Sequence, residues 1–237
     1  MAGDNINTDV LILCGGLGKR LKKINKGRPK PMMPLGERPL LDIIIGYFSG
    51  FGFRRFILAT GYRAGFIKKY YRDKPRGKIS IAFSDEKKPL DTGGAVKNAK
   101  RLIKSRHFFV INGDSFCKFN PGKFLVFHKK NRSFISILLK NVSIGKEYGA
   151  IGLENNGRIS RFNEKSASAR KCFINAGVYI FDKASFDFMP SCARFSLERD
   201  FFPRMLSKRV FGYKKCGFFI DIGTPEKYQK ANKYFSN

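Results

Sequence analysis

The stretch that decides the fold is residues 10–21, VLILCGGLGKRL. It opens with four apolar residues, and glycines follow at positions 15, 16 and 18. An apolar run that ends in glycines is typical of a buried strand leading into a tight loop. Such a loop lets backbone N–H groups approach phosphate oxygens, because no Cβ stands in the way. The stretch is neither a Walker A loop nor a dinucleotide fingerprint, since Leu21 stands where the third glycine of that fingerprint would be.

Strand and helix patterns alternate along the first half of the chain, and strands dominate the second half. Strands are predicted at 10–13, 55–59, 79–83, 108–111, 134–139, 150–153, 158–162, 173–181, 211–213 and 218–221. Helices are predicted at 39–48, 64–71, 92–102, 197–206 and 225–235. The alternation indicates an α/β fold with a mostly parallel sheet and helices on both faces. Ligands of such sheets bind at the carboxyl ends of strands, where Gly15-Gly16 and Gly113-Asp114 stand.

Composition indicates a globular and strongly basic chain. The 237 residues include 47 Lys and Arg against 18 Asp and Glu, which gives a net charge of +29, and 43% are hydrophobic. The basic excess admits a nucleic-acid partner, polyanionic small molecules or a solvated surface. Seven basic residues cluster at 19–30, directly after the glycines and without aromatic residues between them. That placement favours phosphate over stacking on single-stranded nucleic acid, and no apolar run is long enough to span a membrane.

Cysteine and histidine usage excludes several kinds of chemistry. The five cysteines are odd in number and contain no C-x-x-C pair, so neither a zinc site nor a disulfide framework is indicated. This usage fits a reduced, cytoplasmic protein. The two histidines fall in no triad or metal pattern. We expect a single domain over 1–237, with a loose tail at 1–8 and two halves at about 9–130 and about 131–237.

Three charged residues stand out. Lys30 lies between two prolines that restrict its backbone, so it can present a fixed charge to a phosphoryl group. Asp114 is the only acidic residue between Thr92 and Lys146 and follows an apolar strand, which suits an Mg²⁺ ligand. Asp221 likewise ends a strand, and together with Asp114 it would complete a magnesium site. Turn or helix-cap aspartates remain the alternative for both.

Together these motifs resemble the signature of the sugar-1-phosphate nucleotidyltransferases, also called nucleoside-diphosphate-sugar pyrophosphorylases. Residues 13–21 (LCGGLGKRL) and 29–36 (PKPMMPLG) carry its first part. The rest follows in the family's order: PLDTGGA at 89–95, NGD at 112–114, YG at 148–149, NEK at 163–165, NAG at 175–177 and IDIGTP at 220–225. The resemblance covers nearly the whole chain, from residue 10 to residue 234.

The resemblance implies a Rossmann-like three-layer sandwich of the glycosyltransferase-A kind, with Mg²⁺ as cofactor. It implies that a sugar 1-phosphate oxygen attacks the α-phosphorus of a nucleoside triphosphate and that pyrophosphate leaves. The implied catalytic residues are Arg20, Lys30 and Asp114, and the implied metal ligands are Asp114 and Asp221. The implied nucleotide-binding residues are Leu13, Gly15, Gly16, Gly18, Arg20, Lys30, Thr92, Gly93, Gly94 and Gly113. The implied sugar-phosphate-binding residues are Gly149, Glu164, Lys165 and Asn175.

One departure from the family's pattern concerns the grip on the triphosphate. Lys19 stands where the family usually has Thr or Ser, so a long cation replaces a hydroxyl. The short chain and its motifs look most like D-glycero-D-manno-heptose 1-phosphate guanylyltransferases, which use GTP. Mannose-1-phosphate guanylyltransferases come second, followed by thymidylyl-, uridylyl- and cytidylyl-transferring relatives.

Two readings from other classes are weaker. A basic nucleic-acid-binding module leaves the carboxylates at strand ends unexplained. A glycosyltransferase that uses a finished nucleotide sugar would need a D-x-D triplet, which the chain lacks. We expect a nucleoside triphosphate and a sugar 1-phosphate as partners, no membrane, and nucleic acid only as the disfavoured alternative. Homo-oligomerisation is left open.

Overall fold

A computed structural model describes residues 6–16, 18–21, 24–72, 77–143, 149–162 and 172–236 of the chain. The strands are β1 Ile6–Leu13, β2 Pro34–Leu35, β3 Arg38–Pro39, β4 Phe53–Thr60, β5 Ser80–Asp85, β6 His107–Asn112, β7 Ser115–Cys117, β8 Ile135–Val142, β9 Ala150–Leu153, β10 Ile159–Phe162, β11 Cys172–Asp182, β12 Val210–Tyr213 and β13 Phe219–Asp221. The α-helices are α1 Leu40–Gly50, α2 Ala64–Arg72, α3 Asp91–Asn98, α4 Pro121–Lys130 and α5 Pro225–Ser236. None of the helices in these ranges is long and apolar enough to cross a bilayer.

A mixed sheet forms the centre of the fold. Its order is β10-β9-β11-β6-β1-β4-β5, and β8 pairs with both β11 and β12. Strands β6, β1, β4 and β5 run parallel, whereas β11 runs antiparallel to β6, β8 and β9. The predicted α/β architecture, with a parallel first half and antiparallel strands added by the second half, is confirmed.

Each face of the sheet packs against its own hydrophobic core. In β1, Val10 and Ile12 belong to one core and Leu11 to the other, and all three are fully buried. This alternation follows from the two-residue period of a strand. Helices α1 and α4 cover the first face, and α3 covers the second. Strands buried on both faces read as continuous apolar runs, which is the pattern of residues 10–13.

The parallel strands bring their carboxyl ends to one edge of the sheet. Leu13 at the end of β1 is the Cα partner of Asn112 at the end of β6. On the other side, Thr60 at the end of β4 pairs with Asp85 at the end of β5. The loops that follow these strands therefore emerge together, and they carry most of the polar residues singled out above.

The structure corrects two predicted elements. Strand β1 begins at Ile6, which pairs with Phe53, so Ile6 to Thr8 are strand residues and not part of a loose tail; residues 1–5 lie outside the described part. The helix predicted at 197–206 is a π-helical turn, Leu197–Phe201, followed by a 3₁₀ turn, Phe202–Met205. Pro203 has no N–H to donate, so a regular helix cannot continue through it.

Helix α4 and the short strands β2, β3 and β7 were not predicted. Helix α4 begins where the Asn120 side chain accepts a hydrogen bond from the Lys123 N–H at 2.9 Å. Asn followed by Pro is a helix-start signal that could have revealed it. Strand β7 is only three residues long and forms a two-stranded antiparallel ribbon with β13, in which Asp221 lies opposite Ser115. So short a strand has no periodicity to detect.

Candidate active site

A cleft of about 380 Å³ opens at the carboxyl edge of the parallel strands. Its floor is formed by the ends of β1 and β6, and its walls come from the glycine loop, the segment before α3 and the turn after β6. The residues that line it are Leu13, Gly15, Gly16, Lys30, Pro31, Glu86, Pro89, Asp91, Thr92, Ala95, Asn112, Gly113, Asp114 and Arg194. The cleft therefore brings together residues that lie far apart in sequence.

The glycine loop that follows β1 lines the cleft with the backbone of Gly15 and Gly16. A Cβ placed on Gly16 would have nothing within 4 Å, whereas a Cβ on Gly15 would lie 2.5 Å from the Glu86 carboxylate oxygen Oε1. Gly18 has a φ of +57°, in the left-handed region that side chains other than glycine rarely adopt. The backbone conformation therefore favours glycine at position 18, whereas a side chain at position 15 would require the Glu86 carboxylate to move.

Lys30 and Asp114 form an ion pair at one end of the cleft. The Lys30 Nζ lies 2.5 Å from the Asp114 Oδ2. The Lys30 side chain is 11% exposed and the Asp114 side chain 42%, so the carboxylate is the partner that faces the open cleft. Gly113 brings Asp114 close to β1: its N–H donates to the Leu13 carbonyl at 3.0 Å, and a Cβ there would lie 2.6 Å from that oxygen. Glycine at 113 is therefore required by packing.

Asp221 reaches the same region through the β7–β13 ribbon. The N–H of Ile222 donates to the Asp114 carbonyl at 3.0 Å, so the backbones of the two aspartates lie side by side. The Asp221 Oδ2 lies 3.1 Å from the Lys227 Nζ, and its Oδ1 accepts from the Gly223 N–H at 2.9 Å. Asp221 is not among the described residues that line the cleft. Within those residues no group of three or more His, Cys, Asp or Glu is placed to hold a metal, so any metal would rest on these two carboxylates and on ligand oxygens.

Arg20 lies beside the same ribbon. It follows the glycine loop in the 3₁₀ turn Lys19–Leu21 and is exposed. A Cβ on Gly223 would lie 3.6 Å from the Arg20 Nη2, which places the guanidinium next to the Asp221 turn. The side chain of Lys19, where the sequence departs from the family's pattern, lies outside the described part.

Thr92 is tied into a buried hydrogen-bond network. Its hydroxyl donates to the Glu198 Oε2 at 2.8 Å and accepts from the Leu197 N–H at 2.8 Å. The Tyr179 hydroxyl donates to the other oxygen of Glu198 at 3.0 Å and accepts from the Asn175 Nδ2 at 2.8 Å. Burial raises the pKa of Tyr179 well above its usual range, so the phenol stays protonated and can donate. Thr92 was predicted to contact the nucleotide and Asn175 the sugar phosphate. The two residues are thus connected through Glu198 and Tyr179.

Gly93 and Gly94 have packing roles. A Cβ on Gly93 would lie 2.2 Å from the Phe195 ring, and a Cβ on Gly94 would lie 2.2 Å from the Ala193 carbonyl oxygen. Their N–H groups both donate to the Phe195 carbonyl, at 2.9 and 3.1 Å. Both glycines are buried, and neither lines the cleft. These contacts fit α3 closely against residues 193–195, and the contact with the nucleotide stays a prediction for both glycines.

The predicted sugar-phosphate residues are only partly described. Gly149 is exposed and immediately precedes β9. The Asn175 amide is engaged at both ends, since its Oδ1 also accepts from the Gly177 N–H at 2.9 Å. Glu164 and Lys165 lie outside the described residues.

Three charged residues of the cleft were missed by the sequence reasoning: Glu86, Asp91 and Arg194. Glu86 is partly buried and accepts from the Leu90 N–H at 3.1 Å, and burial raises the pKa of its carboxyl. It directly follows β5, so its position after a parallel strand was a usable signal. Asp91 has a φ of +61° and pairs with the Arg199 Nη2 at 2.8 Å. No local signal indicated Arg194, which comes from a segment more than 70 residues beyond the β6 turn.

Comparison with known proteins agrees with this geometry. A family model described as nucleotidyl transferase matches residues 9–237. The chain is 36% identical over 226 residues to D-glycero-alpha-D-manno-heptose 1-phosphate guanylyltransferase of Aneurinibacillus thermoaerophilus, covering 95% of this chain and 97% of that protein. It is 29% identical to mannose-1-phosphate guanylyltransferase of Mycobacterium tuberculosis, covering 94% of this chain and 63% of that one. The solved structure of HddC from Yersinia pseudotuberculosis complexed with GMP-PN matches with a TM-score of 0.84 and 34% identity, covering 96% of this chain and 99% of that one.

Proposed function

Because the chain belongs to the nucleotidyl transferase family, we propose that it transfers a guanylyl group from GTP to D-glycero-D-manno-heptose 1-phosphate and releases pyrophosphate. The observation that carries the proposal is the 36% identity that extends over nearly the full length of both this chain and a heptose 1-phosphate guanylyltransferase. The cleft adds support, because it combines a bare-backbone loop, a fixed lysine and Asp114, with Asp221 in the adjoining ribbon, the groups that phosphoryl transfer requires. The reaction would belong to the cytoplasm, where free thiols such as the five of this chain stay reduced.

Glu86 is the residue we propose to select guanine. Its carboxylate lines the cleft beside Gly15, and only the Leu90 N–H donates to it among the hydrogen bonds of the described residues. The Watson–Crick edge of guanine offers two adjacent N–H donors, which a carboxylate can accept as a charge-assisted pair. Uracil and thymine offer one donor between two carbonyl oxygens, and those oxygens would face the carboxylate unfavourably. A partly buried acceptor left unpaired by the wrong base gives strong discrimination.

The triphosphate would lie along the glycine loop toward Lys30. Backbone N–H groups at 15–18 would donate to phosphate oxygens, and Arg20 would compensate the charge of the leaving pyrophosphate. Lys30, held between Pro29 and Pro31 and largely buried, would present its ammonium group to the α-phosphate. Such fixed cations stabilise the charge that spreads over the phosphoryl oxygens in the transition state, without a histidine or cysteine nucleophile.

The donor set at the end of the cleft fits a magnesium ion. Asp114 offers a carboxylate that is 42% exposed to the cleft, and Asp221 lies on the neighbouring strand of the ribbon. Mg²⁺ is usually held by one or two carboxylates together with water and substrate phosphates. When bound, it would neutralise charge on the triphosphate and orient the α-phosphorus for in-line attack. Lys30 and Lys227 hold the two carboxylates in place.

The sugar phosphate would approach from the β9–β11 side. Gly149 precedes β9, and Asn175 lies in β11. The hydrogen bonds from Asn175 through Tyr179 to Glu198 would fix the position of Asn175 relative to Thr92 on the nucleotide side. Glu164 would contact the sugar and Lys165 its phosphate. The attacking phosphate oxygen needs no base, because a sugar 1-phosphate is already ionised at neutral pH.

A substrate panel tests the proposal. Pyrophosphate release is measured with Mg²⁺ for GTP, ATP, CTP, UTP and dTTP, each paired with D-glycero-D-manno-heptose 1-phosphate or mannose 1-phosphate. We expect the fastest release for GTP with the heptose phosphate, and a nucleotide sugar of matching mass. Absence of pyrophosphate in every pairing would refute the proposal. A clear preference for mannose 1-phosphate would mean that the sugar substrate is mannose 1-phosphate and not the heptose phosphate. The similarity to the mycobacterial enzyme supports this alternative.

A further inference from the structure

Arg194 is an exposed arginine on the wall of the cleft, outside every motif that identifies the family. Its neighbours fix its backbone. The Phe195 N–H donates to the Leu90 carbonyl at 3.2 Å, and the Phe195 carbonyl accepts from Gly93 and Gly94. The Ala193 carbonyl oxygen occupies the space that a side chain on Gly94 would fill. The guanidinium is thus carried on a backbone fastened at both sides to the start of α3.

Two carboxylates near Arg194, those of Asp91 and Glu198, already have other partners. Asp91 pairs with the Arg199 Nη2 at 2.8 Å and accepts from the Thr92 N–H at 2.8 Å. Glu198 accepts from Thr92, Ser196 and Tyr179. Within the described residues the Arg194 guanidinium has no hydrogen bond or ion pair with a protein group. A cation that borders a cleft and has no protein partner is available to a ligand.

The position of Arg194 indicates which part of the ligand it meets. The phosphate end of the cleft is marked by Lys30 and Asp114, next to the β1–β6 floor. Arg194 is fastened to the segment from Glu86 to Gly94, through Leu90 and Gly94. Glu86 would accept hydrogen bonds from the edge of the base. The face of the base would then be the part that the Arg194 guanidinium can contact. A planar guanidinium stacks well on an aromatic face.

We infer that Arg194 binds the nucleotide by stacking its guanidinium on the purine base, which makes it a nucleotide-binding residue outside the motifs quoted above. The inference rests on the proposed function, because it takes the base to lie at the Glu86 end of the cleft. It assigns Arg194 to binding and not to the chemical step, since its contact would be the same in the ground state and the transition state. Removal should therefore raise KM for GTP and leave kcat unchanged.

The test compares Arg194→Ala and Arg194→Lys with the wild type by calorimetric titration with GTP, GMP and inorganic tripolyphosphate. Arg204→Ala is the matched control, because Arg204 is an exposed arginine of the same region that does not line the cleft. We expect Arg194→Ala to weaken GTP and GMP equally, by about 5- to 30-fold, the range that a desolvated cation–π contact provides. Tripolyphosphate should bind all four proteins alike. The Lys variant should resemble the Ala variant, because an ammonium group does not replace the planar contact.

Two outcomes would overturn the inference. Equal affinity of wild type and Arg194→Ala for GMP would mean that Arg194 does not touch the base. A matching loss for tripolyphosphate would mean that it binds phosphate instead. These results are distinct from failure of the proposed function, which shows as absent pyrophosphate release in the wild type. Loss of GMP affinity in the variant supports the stacking role whether or not the sugar phosphate has been correctly identified.

Discussion

Acidification should destabilise the protein through His128. This histidine of α4 is fully buried; its Nδ1 lies 2.9 Å from the Ser136 hydroxyl, and its Nε2 is buried without a partner among the described residues. Burial, with a smaller contribution from the His107 ring 5.0 Å away between centroids, lowers the pKa of His128 from 6.5 to about 3. The folded protein therefore holds His128 neutral at pH values where the unfolded chain has already bound a proton.

The size and direction of the effect follow from linkage. Because the folded pKa lies below the unfolded one, the contribution to stability is complete above pH 6.5 and is lost as the pH falls toward 3. Each pH unit within that window costs about 1.4 kcal/mol per proton. Relative to pH 7.5, we expect a loss of about 1.4 kcal/mol at pH 5.5 and about 2.7 kcal/mol at pH 4.5 from His128. His107 adds to the loss in the same direction, because burial lowers its pKa as well.

Urea denaturation at pH 7.5, 5.5 and 4.5 measures this loss. The comparison is with His128→Gln, which keeps a hydrogen-bonding group beside Ser136 but does not titrate. The two proteins are compared by how steeply the free energy of unfolding changes with pH, and not by its absolute value. This comparison isolates His128, because both proteins share all other titrating groups. The variant should lose the His128 part of the slope and keep the part due to His107. Parallel slopes for the two proteins would refute the reasoning.

Three further predictions address the cleft and its supports. Asp114→Asn should lower kcat at least 100-fold in the pyrophosphate assay with little change in melting temperature, and full activity would contradict the metal assignment. Glu86→Gln should raise KM for GTP more than 10-fold while UTP becomes a better substrate, measured as the ratio of kcat/KM values. Gly94→Ala should cost about 1–3 kcal/mol in urea denaturation, because its Cβ would lie 2.2 Å from the Ala193 carbonyl oxygen. Gly46→Ala in α1, with open space at that position, should cost nothing.

The place of the cleft could be predicted from local pattern. Two apolar runs, each followed by glycine, identify the ends of two strands, and parallel pairing brings such ends to one edge of the sheet. Leu13 and Asn112 are indeed register partners. Asp114 was predictable for the same reason, since it follows the end of β6, whereas Lys30 was predictable from the two prolines that flank it. The contact between them, across 84 residues of sequence, was not.

The roles of Gly93 and Gly94 show where local pattern stops being informative. A glycine pair after a threonine is compatible with a ligand that approaches the backbone and equally with a protein segment that does so. The choice depends on Ala193 and Phe195, which lie about 100 residues away and occupy the space in question. Arg194 is the converse case: nothing around it in sequence suggests a ligand, and only the bonds of its neighbours to α3 place it on the cleft.

On the proposed function, two charge pairs, Lys30 with Asp114 in the cleft and Lys227 with Asp221 beside it, would let one site serve two anions and a cation. Two phosphorylated substrates require positive potential, whereas Mg²⁺ requires carboxylates, and the chain supplies both by pairing each aspartate with a lysine. In the absence of substrate, the lysine compensates the carboxylate, which limits the cost of its partial burial. With a triphosphate bound, its oxygens would accept from Lys30, and Asp114 would be available to hold the metal, whose charge would then compensate that of the carboxylate. This exchange requires Lys30 to reach both Asp114 and the α-phosphate. Lys30 contacts the Asp114 carboxylate and is flanked by two prolines, and this arrangement would allow it to reach both groups.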